Sequence, residues 1–106
     1  MILTTTSTIP NKKLIEYKGL VTAETIYGAH IGRDLLATIR DFFGGRSNSY
    51  EQVLRDVKKS ATIELSKKAE QLGANAVVGI KYDFGVVGHG NSMMMVNVTG
   101  TAVTIK

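Results

Sequence analysis

His30 and Asp34 have the residue types and spacing best suited to metal binding in this sequence. They are four residues apart, so they lie on one face if a helix contains both. An imidazole nitrogen and a carboxylate oxygen are ligands that divalent ions accept. Two ligands are too few for a tight site, and an exposed histidine near a carboxylate is the more ordinary interpretation. A ring of identical subunits would multiply the ligands, so the pair is a candidate site for a divalent or soft metal ion.

A glycine pair before the second predicted helix is suited to binding an anion. Gly44 and Gly45 let backbone N–H groups face outward, the helix N-terminus is electropositive, and Arg46 adds a fork of donors. The more common interpretation pairs Arg46 with Asp34 or Asp41, since short glycine-rich turns before helices are frequent. The candidate ligand-binding residues are Arg40, Asp41, Gly44, Gly45, Arg46 and Ser47.

Three consecutive methionines suggest Cu(I), because thioether sulfurs are soft ligands. Met93, Met94 and Met95 fall in a predicted strand, where neighbouring side chains point to opposite faces. They cannot converge on one ion within one chain. We therefore expect them to fill a core or an interface.

Neither histidine has the neighbours that catalysis requires. His30 and His89 lack a nucleophile and an orienting group nearby in the sequence. We expect no catalysis. A weaker alternative is an enzyme whose site lies at subunit junctions and uses Arg40, Asp41 and Arg46.

The composition predicts one folded domain over residues 1–106. Apolar residues make up 43% and charged residues 21%, and the absence of cysteine excludes disulfides and thiolate metal sites. The formal charge is +4, but acidic residues interleave with basic ones, so we expect no specific nucleic-acid partner. The chain has neither an apolar run of about 20 residues nor the features of an export signal, so no membrane association is expected and the predicted location is the cytoplasm.

Hydrophobic periodicity predicts an α+β domain with two layers, an antiparallel sheet packed by one long helix and one short helix. Gly19 marks a bulge or a close backbone approach. The predicted elements are strands over residues 2–9, 13–27, 76–84 and 93–105, a short helix over residues 30–43 and a long helix over residues 50–72.

The long helix is the best-defined element. Ser49 and Gln52 have capping-box spacing, and Gly73 ends the helix. Ile63 lies nearly opposite the predicted buried face, which indicates either that the C-terminal half of the helix is only partly covered or that a second surface, such as another subunit, covers its far side. That predicted face comprises Tyr50, Val53, Leu54, Val57, Ala61, Leu65 and Leu72.

Two strands show informative patterns. Residues 76–84 alternate, which places Ala76, Val78, Ile80, Tyr82 and Phe84 on one face. The last strand alternates until Val103 and Ile105, where the pattern inverts; this indicates a bulge or a contact with another subunit. Its uncharged stretch favours strand pairing with a copy of the chain, so a homo-oligomer is predicted.

Ordered motifs extend over nearly the whole chain. They are Tyr17-Lys18-Gly19-Leu20-Val21, Gly28, Arg33-Asp34, Ile39-Arg40-Asp41, Gly44-Gly45-Arg46, Tyr50, the segment from Leu72 to Gly79, and Gly100-Thr101-Ala102-Val103. Together they resemble the YbjQ family, which is labelled as heavy-metal-binding. The resemblance implies a dodecin-subunit-like β-α-β-β architecture, a homopentameric ring and no established activity.

Two positions depart from the family pattern. Many members carry Cys at the position of Lys18 and Asn at that of His30. A charged lysine is a poor metal ligand. We therefore expect a small, non-catalytic, ring-forming protein that binds a small anionic ligand or an ion, with metal binding or delivery as the alternative.

Overall fold

The computed structural model describes residues 1–27, 47–87 and 93–106. The elements in these residues are β1 (Ile2–Leu3), β2 (Leu14–Tyr27), α1 (Ser47–Gln71), β3 (Ala76–Val87) and β4 (Met93–Ile105). The α+β class is confirmed. The short helix predicted over residues 30–43 lies outside the described residues.

The four strands form one mixed sheet in the order β1-β3-β4-β2. Strand β4 pairs antiparallel with both β3 and β2. Strand β1 runs parallel to β3, with Ile2 opposite Ala76 and Leu3 opposite Val77. The expectation of a purely antiparallel sheet with β-α-β-β order was therefore wrong. The strand predicted over residues 2–9 is a two-residue strand, and it pairs in parallel with β3 at the edge of the sheet.

Threonine side chains explain why the first strand is shorter than predicted. The Thr6 hydroxyl donates to the Thr8 carbonyl oxygen at 2.7 Å, and the Thr6 N–H donates to the Thr4 hydroxyl at 3.1 Å. Such local bonds compete with the sheet ladder and bend the chain after Leu3. The segment still follows β3, since the Ile80 N–H donates to the Thr4 carbonyl at 3.1 Å.

Helix α1 packs on one face of the sheet, which we call the helix side. Val57, Ala61, Leu65 and Ala69 recur every four residues, and all four are fully buried. Leu72 was predicted on this face but is exposed, because it lies after the last helical turn. Helix α1, the helix in the described part of the chain, is not long and apolar enough to cross a membrane.

The predicted C-terminal end of α1 at Gly73 is confirmed, but the predicted N-terminal cap at Ser49 is wrong. The Ala74 N–H donates to the Ala69 carbonyl at 3.1 Å, which is part of the Schellman motif expected around Gly73. The helix begins at Ser47, so Ser49 lies inside it and cannot be the cap of the predicted capping box. The Gln52 amide instead donates forward to Asp56 at 3.0 Å.

A bulge divides β3 into two parts. The register with β4 shifts just after Val78, and Gly79 has a φ of 62°, a left-handed conformation that glycine adopts cheaply. Val77 and Ile80 therefore both pack on the helix side, while Val78 faces the other side. The single face predicted for this strand was wrong, because the bulge moves Ile80 and the following residues across the sheet.

Among the described residues, the side of the sheet away from α1, which we call the open side, is covered at one end. A small cluster there comprises Ala76, Val78 and Val103, with Ile9 and Ile105 packed against it. Val103 is thus buried by its own chain. The contact with another subunit that we predicted there as one alternative is not needed to bury it.

The bulge predicted at Gly19 is confirmed. The register of β2 with β4 shifts between Tyr17 and Gly19, and again between Leu14 and Glu16. Each shift gives β2 one extra residue opposite β4. For the inverted pattern at the end of β4, the sequence left two alternatives, a bulge or a contact with another subunit. The bulge is the one observed, because the extra residues of β2 lie opposite that end of β4.

Candidate functional site

The predicted site residues fall almost entirely outside the described residues. This holds for the metal pair and for the ligand set except Ser47: His30, Asp34, Arg40, Asp41, Gly44, Gly45 and Arg46. Ser47 is the first residue of α1, so the glycine–arginine segment directly precedes a 25-residue helix. Both sites stay predictions.

The methionine run behaves as predicted. Met94 is buried, while Met93 and Met95 are half-buried. Alternate residues of β4 point to opposite sides of the sheet, so the three thioethers do not converge. They fill space in and beside the sheet.

The described residues hold no preformed metal cluster. Within residues 1–27, 47–87 and 93–106, no three His, Cys, Asp or Glu side chains come together. Lys18 takes the position at which the family pattern led us to expect a cysteine, and its ammonium lies 3.0 Å from a Glu16 carboxylate oxygen. This side chain is half of an ion pair, not a soft ligand.

A groove lies between α1 and the end of β3. We call it the Phe84 groove. It has a volume of about 410 Å³ and is lined by Glu51, Leu54, Arg55, Lys58 and Phe84. Phe84 is 52% exposed. Small-molecule sites typically occupy such concave, mostly apolar volumes with a few polar groups at the wall.

Lys58 is the best-fixed cation of the groove. Its ammonium nitrogen lies 4.9 Å from the centre of the Tyr82 ring, a cation–π contact. The Thr62 and Tyr82 hydroxyl groups are hydrogen-bonded at 2.7 Å, and the Thr62 hydroxyl also donates to the Lys58 carbonyl at 2.7 Å. The ring under the ammonium is therefore anchored to the same helix.

Arg55 is the second cation of the Phe84 groove. Its guanidinium lies 4.0 Å from Glu51, and both side chains are more than half exposed. An exposed pair at this distance contributes little, about 0.3–0.5 kcal/mol for i,i+4 pairs on a helix. The Arg55 guanidinium can therefore bind an anionic ligand in addition to the Glu51 carboxylate.

Sequence reasoning missed this groove because it placed Phe84 with the buried residues of its strand. The bulge at Gly79 moved Phe84 to the helix side, and its register partner there is Val96. The one available signal was the i, i+3, i+4 spacing of Glu51, Leu54 and Arg55. That spacing places an apolar residue between two charges on one helix face.

Two further surfaces bear on assembly. The outer edge of β2 has no partner strand among the described residues, and Leu20 on it is 87% exposed. Next to β1, a shallow groove of about 320 Å³ is lined in part by Leu3 and Ile63, and Ile63 is 47% exposed. Both surfaces combine apolar side chains with an unpaired strand edge.

A family model described as "Putative heavy-metal-binding" matches residues 1–106, the whole chain. The chain belongs to this family, YbjQ. Among solved structures, it is similar to a crystal structure of a protein with unknown function that belongs to the DUF74 family, from Pediococcus pentosaceus ATCC 25745. The TM-score is 0.67 at 20% identity, over 100% of this chain and 98% of that chain. A similarity at this identity shows the fold alone.

Membership of the YbjQ family does not by itself identify the residues of a binding site in this chain. The description of the family names heavy metals, but the described residues bring no ligand set together. The features that this YbjQ-family chain does present are the Phe84 groove and two apolar strand edges.

Proposed function

We propose that this YbjQ-family chain is one domain that assembles with copies of itself into a ring. The protein binds a small anionic ligand or an ion and catalyses no reaction. It acts in the cytoplasm and has no nucleic-acid partner. The observation that carries the proposal is the outer edge of β2, which pairs with no other described strand and carries the exposed Leu20. A 14-residue edge strand is a template for pairing with another chain unless something covers it.

The geometry of the edges favours a ring over a two-fold dimer. One free edge is β2; at the other edge, bonds from the N-terminal segment reach only as far as Ile80 of β3. Because the two edges differ, pairing one with the other is head-to-tail. Such contacts form a closed ring when the rotation per subunit divides a full turn. We propose five subunits in the ring, a number that rests on the family resemblance alone.

Sedimentation velocity at micromolar concentration tests the assembly. We expect the wild type to sediment as one discrete oligomer and Leu20→Glu to sediment as a monomer with an unchanged far-ultraviolet dichroism spectrum. Lys59→Glu is the matched control, since Lys59 is an exposed position on α1 that belongs to neither edge strand, and it should assemble normally. A wild type that is only monomeric at micromolar concentration contradicts the proposal.

Helix α1 supports an anion site at its N-terminus. The helix starts at Ser47, so the segment Gly44–Arg46 precedes the end at which unpaired N–H groups and the helix dipole favour negative charge. Arg40 and Asp41 complete the proposed residue set. This site does not depend on a metal.

Titration calorimetry with inorganic phosphate tests the anion site. We expect saturable heat for the wild type and at least tenfold weaker binding for Arg46→Gln, because a charge-assisted bond is lost. Lys67→Gln, an exposed position near the other end of α1, should bind as the wild type does. Equal binding by Arg46→Gln and the wild type contradicts the site.

The family description favours a second candidate function, heavy-metal binding or delivery. The proposed ligands are His30 and Asp34, with copies around a ring supplying the rest. Calorimetry with zinc, copper(I) and nickel separates the two functions. Heat that disappears in a variant carrying both His30→Ala and Asp34→Ala supports the metal function, whereas heat that persists excludes these ligands.

A further inference from the structure

We infer that the Phe84 groove binds an aromatic anion, a small molecule with a flat ring and one carboxylate, phosphate or sulfonate group. This site shares no residue with the proposed set from Arg40 to Ser47. It also requires no second copy of the chain, so it stands independently of the function proposed above.

The aromatic part of the ligand is argued from Phe84. Its side chain lies on the helix side of β3, yet half of it contacts solvent beside Leu54. An exposed aromatic face next to an apolar wall accepts a second ring in offset or edge-to-face packing, worth more than the buried area alone. A flexible aliphatic chain would gain only the area and would lose more conformational entropy.

The anionic part of the ligand is argued from the charges at the wall. Lys58 forms no ion pair within residues 1–27, 47–87 and 93–106, and the Tyr82 ring holds its ammonium in place. Within the described residues, Arg55 pairs with Glu51 at 4.0 Å. The described lining residues include two cations and one carboxylate, which together carry one net positive charge.

The geometry also sets the order of the groups along the ligand. Tyr82 and Phe84 are two residues apart on β3, so both project toward α1. The ammonium held over Tyr82 therefore lies to one side of the Phe84 ring. A ligand with its ring on Phe84 presents its acidic group toward Lys58, at the end nearer Tyr82.

Naphthoate is the probe that tests the inference, measured by calorimetry and by amide chemical shifts on the full chain. We expect one site per chain with saturable binding. The neutral counterpart, naphthalene methanol, should bind at least tenfold more weakly because it cannot use the cations. Cyclohexane carboxylate, which keeps the charge and lacks the aromatic face, should also bind more weakly.

Three variants and a matched control locate the site. Phe84→Ala and Lys58→Gln should each weaken naphthoate binding about tenfold or more. Lys59→Gln removes a neighbouring charge on α1 that does not line the groove, and it should bind as the wild type does. Phe84→Leu keeps an apolar side chain and should bind between the wild type and Phe84→Ala, which separates loss of the ring from loss of fold.

Several outcomes would overturn the inference. These are no saturable binding at millimolar naphthoate, equal binding by Lys58→Gln and the wild type, or equal weakening by the Lys59→Gln control. A further outcome assigns the groove to a subunit contact: Phe84→Ala dissociates the oligomer while naphthoate shifts no amide near Leu54. That result also overturns the inference of a ligand site. The assembly into a ring is tested separately by the sedimentation of Leu20→Glu.

Discussion

The two sides of the sheet are covered in different ways. On the helix side, α1 supplies a continuous apolar face that buries Leu65 and its neighbours completely. On the open side, the described residues supply a smaller cluster, in which Ile9 packs against the residues around Val103, and Leu20 is exposed. The comparison indicates that, within the described residues, the helix side carries the main core of the domain and the open side carries a minor one.

Truncating Leu65 gives the largest expected loss. Leu65→Ala removes a fully buried side chain from the centre of the helix side, so the free energy of unfolding should fall by about 2–5 kcal/mol. Chemical denaturation monitored by circular dichroism measures it. The matched control is Ile63→Ala, two residues away and half exposed, which should cost less than about 1 kcal/mol. Equal losses for the two variants would contradict a one-sided helix.

Adding a single carbon at Gly100 tests how tightly the helix side is packed. A Cβ there would lie 2.6 Å from the Val77 Cγ1 and 3.2 Å from the Ile80 Cγ1, so Gly100→Ala should cost about 1–3 kcal/mol. Gly85→Ala is the control, because its Cβ would meet only the Met95 Cε at 3.8 Å. If the midpoint temperature of thermal unfolding shifts equally in both variants, the side chains around Gly100 are not closely packed.

Truncating Ile9 tests the small cluster on the open side. Ile9 is only partly buried against Val103, so we expect Ile9→Ala to cost about 1 kcal/mol, less than Leu65→Ala. The same denaturation experiment measures it. A loss as large as that of Leu65→Ala would mean that the open side carries a core of its own.

The sequence predicted several ends of the long elements and the bulge at Gly19 correctly, but it missed the bulge at Gly79. The bounds of β4 follow from its alternation, and the glycine at the end of α1 follows from capping chemistry. The bulge at Gly79 was not predicted, because the regular alternation of apolar residues on both sides of Gly79 favoured an unbroken strand. Missing it placed Phe84 on the wrong side of the sheet and hid the groove.

The parallel edge was also beyond sequence reasoning. Strand β1 has two residues, too few for any periodicity, and hydrogen bonds to β3 more than seventy residues away hold it in place. The threonine hydroxyl bonds that end it depend on local geometry that alternation does not encode. The predicted anion and metal residues cluster before α1, and only the start of that helix at Ser47 bears on them.

Amide hydrogen exchange along β2 tests most directly whether another copy covers the open edge. Every second amide between Leu20 and Ile26 points away from β4, so in an isolated chain it would exchange at close to the rate of an unstructured peptide. We predict slow exchange of these amides at assembling concentrations and fast exchange in Leu20→Glu. Fast exchange in the wild type at every concentration would contradict pairing of this edge.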